Sequence, residues 1–163
     1  MKEEMQKIVD HVWDYFIVQD NNFGMSPRDA CGDGGCAYRT PTNDRCAVGL
    51  LIEDDEYLPE MEGANCPKDV FDWYDLPKTV EKWFPSNTQG SRYDRGFFPF
   101  LNELQQAHDD AALDYVSEGE MILWERELGV WELTGKELMA QKLRDLCDRF
   151  SLLCPENVET TNE

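Results

Sequence analysis

The sequence predicts an α+β fold, mainly α-helical, with about five helices and one small β-hairpin near residues 36–48. Two observations carry that expectation. Apolar residues recur at helical spacing near both ends of the chain, and two short β-type runs flank a turn-forming tetrapeptide.

The first helix is read from Met5, Ile8, Val9, Val12, Trp13, Phe16 and Ile17, which fall on one helical face, with Glu3, Lys7, Asp10 and Asp14 opposite. "DNNFGMSPRDACGDGG" (20–35) then breaks all periodicity and reads as a loop. "CAYRT" and "RCAVG" enclose "PTND", whose Pro, Asn and Asp favour a turn; together they form the expected hairpin. A two-stranded hairpin is marginal by itself, so it must pack on helices.

"PKDVFDWYDLP" (67–77) opens and closes on proline around an apolar face of Val70, Phe71 and Tyr74, which predicts a short helix. "KTVEKWFP" (78–85) predicts another, and the polar, locally basic "SNTQGSRYDRG" (86–96) an exposed loop. Positions 97, 101, 104, 108 and 111 trace one more apolar stripe. In residues 121–133, Met121, Trp124, Leu128 and Trp131 suit a helix, and Gly129 opposes it. "TGKE" at 134–137 has the form of a capping box ahead of a final helix lined by Met139, Leu143, Leu146, Cys147, Phe150 and Leu153. No repeat or linker divides the chain, so residues 1–154 are expected as one domain, followed by an acidic tail at 155–163.

"CAYR…RCAVGLLI…EYLPEMEG" and "FLNELQQAHDD" resemble a family of small, functionally uncharacterised proteins from bacteria and their phages. That family carries a Cys-x-Tyr-Arg segment, a turn, a Lys/Arg-Cys-Ala-x-Gly-x-Leu-Ile segment, an acidic stretch ending Tyr-x-Pro-x-Met-Glu-Gly, and a Phe-Leu-x-x-Leu-Gln-x-x-His-Asp helix. The closing "RFSL" is similar to its C-terminal segment. The resemblance spans about three quarters of the chain and departs from the family in the aromatic, Pro-rich stretch 71–100 and at Cys31 and Cys66. It implies a mainly helical domain with a hairpin and a phage origin, and no activity or catalytic residue.

Charge is the outlying property. Thirty-four Asp and Glu against fifteen Lys and Arg leave a formal net charge of −19. Such a chain repels nucleic acid and anionic membrane and favours basic partners. No stretch is apolar enough to span a membrane, and charge in "MKEEMQKIVD" interrupts any signal-peptide pattern. A cytoplasmic location follows as an expectation (the host cytoplasm for a phage protein), with the cysteines reduced.

Four kinds of site chemistry are weighed. Cys31, Cys36, Cys46 and Cys66 could bind zinc, but only the first two approach the close spacing of a zinc knuckle. A Cys–His nucleophile would need His11 or His108 beside an activated thiol, which nothing in the sequence indicates. His11, His108, Asp109 and Asp145 superficially echo the ligand order of HD-type metal-dependent hydrolases; the plainer reading makes His108 a buried ring with Asp109 outside. "DNNFG" and "EDDE" contain oxygen ligands but lack an EF-hand pattern. No cofactor is expected.

The acids themselves remain. Glu53, Asp54, Asp55, Glu56, Glu60 and Glu62 lie within ten residues that contain no base, and residues 101–127 hold eight acids against Arg126 alone. Glu103, Asp110, Asp114, Glu118 and Glu120 complete the expected partner-binding set. The sequence thus favours a non-enzymatic binding protein, an inhibitor that meets a basic, nucleic-acid-binding host protein by mimicking nucleic-acid charge. A small HD-type hydrolase and a zinc-stabilised structural module are the alternatives.

Overall fold

A computed structural model describes residues 1–23, 37–64, 66–85, 97–117 and 135–155, with side chains in the fourth stretch described as far as residue 112. Five α-helices occur among these residues: α1 Lys2–Trp13, α2 Pro67–Trp73, α3 Pro77–Trp83, α4 Phe97–Ser117 and α5 Gly135–Phe150. A π turn, Asp14–Val18, extends α1, and a 3-10 helix, Pro59–Gly63, precedes α2.

The main core is the meeting of the three amphipathic helices. Ile8, Val9 and Val12 of α1, Leu101 and Leu104 of α4, and Met139 and Leu143 of α5 are excluded from solvent. Burying each such side chain contributes about 1.5–3 kcal/mol. The register of α1 follows its stripe until the π turn, where the wider turn keeps Phe16 inside and leaves Val18 facing out. Around Phe97 the packing is aromatic: Phe84 and Phe97 meet edge to face at 3.9 Å, and Phe71 makes edge-on contacts with both.

The shorter helices start on proline, as their sequences predict. Pro67 and Pro77 occupy the first helical turns of α2 and α3, where a missing N–H costs nothing. Helix α5 ends in a two-bond cap. Ser151 adopts φ 54°, its N–H bonds the Asp148 carbonyl at 3.2 Å, and the Leu152 N–H reaches the Cys147 carbonyl at 2.7 Å.

The expected hairpin is not formed. Among the described residues there is no β-strand, only an isolated parallel bridge between Phe23 and Arg45. Among the described residues the fold is therefore helical rather than α+β. The predicted turn does exist: Asn43 takes φ 67°, and the Thr40 N–H bonds the Asp44 carbonyl at 2.9 Å. The flanking arms share that bond and one other, from the Cys46 N–H to the Ala37 carbonyl at 3.3 Å, but they build no strand ladder, because neighbouring amides are satisfied elsewhere. Tyr38 and Arg39 donate theirs to the Glu62 carboxylate. Beyond the turn the chain coils instead of extending, with Leu50 N–H on the Cys46 carbonyl and Gly49 N–H on the Cys46 thiol.

Cys36, the loop at 86–96, the stretch 121–133 and the capping residue Thr134 lie outside the described residues, as does the tail beyond Pro155.

Candidate partner-binding surface

The acidic run 53–56 sits against α3, and each of its four carboxylates has its own cationic or amide partner. Glu53 meets Lys82 at 2.6 Å, and Asp55 pairs with Lys78. Asp54 bridges two arginines with one oxygen, at 2.9 Å from Arg39 and 2.8 Å from Arg45. Glu56 caps α3 from outside the helix. It accepts the backbone N–H groups of Lys78 and Thr79 at 2.6 and 2.8 Å, and the Thr79 hydroxyl at 2.7 Å. The residue at the cap position, Leu76, has no side chain that could do this.

Glu62 is an internal strut. Its two oxygens accept the consecutive N–H groups of Tyr38 and Arg39 at 2.9 Å each, and the Tyr57 hydroxyl at 2.8 Å. Partial burial and that bond to Glu62 push the Tyr57 phenol pKa well above its ordinary value. The Arg39 guanidinium lies 4.5 Å over the Tyr57 ring. Gly49 closes the arrangement from the other side, since a Cβ there would meet the Tyr38 carbonyl oxygen at 1.8 Å. The described motif residues "AYR", "RCAVG" and "EYLPEMEG" thus interlock as scaffold.

What faces outward is a subset of the predicted acids. The Asp54 side chain is 73% exposed and that of Asp55 61%, despite their ion pairs. Glu60 is also exposed, on the 3-10 helix whose Met61 is wholly buried. The hydrogen bond from Lys78 holds the Asp55 carboxyl below the usual value.

The second acidic segment engages a different neighbour. Glu103 pairs with Arg149 at 2.7 Å and Asp110 with Lys142 at 2.6 Å, both tying α4 to α5. Burial works to raise the Asp110 pKa, but hydrogen bonds from Lys142 and Gln106 bring it below the usual carboxylate value. Asp114 belongs to α4, with its side chain outside the described set, and Glu118 and Glu120 lie outside the described residues.

Thiols and imidazoles occupy separate places. His108 is fully buried against the stacked rings of Phe16 and Phe23, with ring centroids 5.3 and 5.2 Å away, and its Nδ1 lies 3.2 Å from Asp109 Oδ1. Burial lowers its pKa, against the opposing pull of Asp109. His11 stacks on Trp83 at 4.9 Å, and partial burial, then Lys82, lower its pKa. Asp145 is exposed on α5 and accepts from Gln141. Cys46 is buried and Cys66 half-buried before α2, while Cys31 and Cys36 fall outside the described residues. Among the described residues no three His, Cys, Asp or Glu side chains are grouped to hold a metal ion. No described helix is long and apolar enough to cross a membrane.

Sequence reasoning missed Thr79, Gln105 and Arg39 as organising residues. Gln105 is buried, accepting the Val48 N–H at 3.1 Å and donating to Asp109 at 2.7 Å. A polar residue on an apolar helical stripe was the available signal for Gln105. Thr79 and Arg39 leave none, because their partners are remote in sequence.

No family model matches the chain, nor does any curated protein or solved structure.

Proposed function

We propose that this is a non-enzymatic acidic binding protein whose partner is a basic, nucleic-acid-binding protein. The observation that carries the reading is the disposition of its cations. Among the described residues, eight Lys and Arg side chains (Arg39, Arg45, Lys68, Lys78, Lys82, Lys136, Lys142 and Arg149) are held in ion pairs with the chain's own carboxylates. With a net charge of −19, the surplus left to face a partner is carboxylate.

In this reading the acidic stretch 53–62 divides its labour. Glu53, Glu56 and Glu62 hold the loop in shape, and Asp54, Asp55 and Glu60 present charge outward. A rigid array of carboxylates speeds docking on a cationic groove that otherwise takes phosphates. Inhibition of the partner follows from occupying that groove.

The test is a salt titration of a captured complex. The protein is used to capture partners from a host lysate, and the affinity for the purified partner is measured between about 50 and 200 mM salt. The expected result is a partner whose affinity falls steeply with salt and which duplex DNA displaces. Salt-independent binding, or simultaneous binding of DNA and this protein, overturns the proposal.

A further inference from the structure

Two cysteines are brought to the same region at the C-terminal end of α5, apart from the acidic surface. Cys147 is buried on the inner face of the helix, and Cys154 follows the cap, half-buried. The cap folds the chain back on itself, with Ser151 at positive φ and the Leu152 N–H on the Cys147 carbonyl. As a result the Leu153 carbonyl lies 3.6 Å from the Cys147 sulfur, and the adjoining Cys154 packs against the same core cluster as Cys147.

The returning segment is also held from α1. The Gln6 side-chain oxygen accepts the Leu153 N–H at 2.7 Å, and its amide nitrogen donates to the Leu153 carbonyl at 2.8 Å. Both backbone groups of Leu153 are therefore fixed, while its side chain is 71% exposed. The sulfur pair is thus juxtaposed by a helix cap and by a two-point clasp from a second helix.

We propose that Cys147 and Cys154 are an oxidative modification site, which a hydroperoxide converts to an intramolecular disulfide that latches the segment after α5. The roles of the two sulfurs differ. Burial, with contributions from Cys154, Asp10 and Asp148, pushes the Cys147 thiol up to about 12, so it is the poorer first nucleophile. The more accessible Cys154 attacks the peroxide as thiolate. A sulfur–oxygen bond forms, the O–O bond breaks, and the departing hydroxide takes a proton to leave as water. The Cys147 sulfur then attacks the Cys154 sulfenic acid. The S–S bond forms, the S–O bond breaks, and the leaving hydroxide carries off the Cys147 proton as a second water. Two electrons pass from the thiol pair to the peroxide.

The chain supplies a convenient readout, because Arg149 lies between the two cysteines. Reduced protein is treated with hydrogen peroxide, free thiols are alkylated under denaturing conditions, and the product is digested with trypsin without reduction. The expected product is peptide 145–149 joined to the peptide that begins at Phe150, lighter by two hydrogens than the sum of the two free peptides. Oxidised protein should also melt at a higher temperature, a shift that dithiothreitol reverses. Cys154→Ser should leave Cys147 reduced at the same peroxide dose, and Cys147→Ser should leave Cys154 as a sulfenic acid that dimedone traps. Recovery of both peptides alkylated and unlinked from oxidised wild type overturns the proposal. So does oxidation of Cys147 that proceeds unchanged in Cys154→Ser.

Discussion

The carboxylate of Glu56 engages Thr79 twice, taking its amide at 2.8 Å and its hydroxyl at 2.7 Å. Thr79 is fully buried, and its hydroxyl oxygen in turn accepts the N–H of Glu53 at 3.0 Å. A residue that reads as one more acid in an acidic run is therefore the cap of a helix more than twenty positions away.

Removing that cap has a definite cost. Glu56→Ala should destabilise the protein by about 2–3 kcal/mol, since it deletes a helix cap and strands a buried hydroxyl. Glu60→Ala, on the exposed side of the same stretch, should change stability by less than about 0.5 kcal/mol. Urea denaturation of the two variants checks the contrast, and equal losses would refute it.

Glu62 is expected to be more sensitive still. Glu62→Ala leaves the amides of Tyr38 and Arg39 and the Tyr57 hydroxyl without their acceptor, a loss of about 3 kcal/mol or more. Tyr57→Phe removes only one of the three bonds and should cost about 1 kcal/mol. Comparing both midpoints in urea tests whether the strut is shared in this way.

Gly49→Ala is predicted to be severe for steric reasons. The new methyl group would overlap the Tyr38 carbonyl, so the backbone of one arm must move. A loss of about 3 kcal/mol is expected, read as a lowered melting temperature.

Both histidines make stability fall in mild acid. Their pKa values are lowered from 6.5 in the folded chain, His108 by burial and His11 by burial and Lys82. Below pH 6.5 the unfolded chain therefore binds protons that the folded chain resists. The stabilisation is complete above that pH and drains away as pH falls toward the folded values. The urea midpoint should drop between about pH 8 and pH 5. His108→Gln, although less stable overall, should flatten that dependence.

The helices were legible because their signals are local. The stripe of α1, the prolines opening α2 and α3, and the apolar positions 97, 101, 104, 108 and 111 each specify an element from within it. The buried place of His108 follows from that same stripe. The hairpin was not legible, because what prevents it is remote. "CAYRT" and "RCAVG" have strand composition, yet the Glu62 carboxylate takes the amides of Tyr38 and Arg39, and the coil from Cys46 takes up the second arm. The acidic stretch was legible as charge but not as structure. Nothing in "EDDEYLPEME" separates Glu56 and Glu62, which hold the fold, from the outward Asp54 and Glu60.

The coil 46–52 is also a partition. Ala47, Leu50 and Leu51 point into the large helical core, while Cys46, Val48 and Ile52 point into a smaller cluster with Tyr38, Met61, Val70 and Leu76. Phe71 packs against both. The described residues therefore form two hydrophobic compartments sharing one wall, and the smaller is expected to open while the helical bundle stays closed. Its amides would then exchange with solvent through an opening cheaper than global unfolding, and the acid-bearing loop built upon it would open with it.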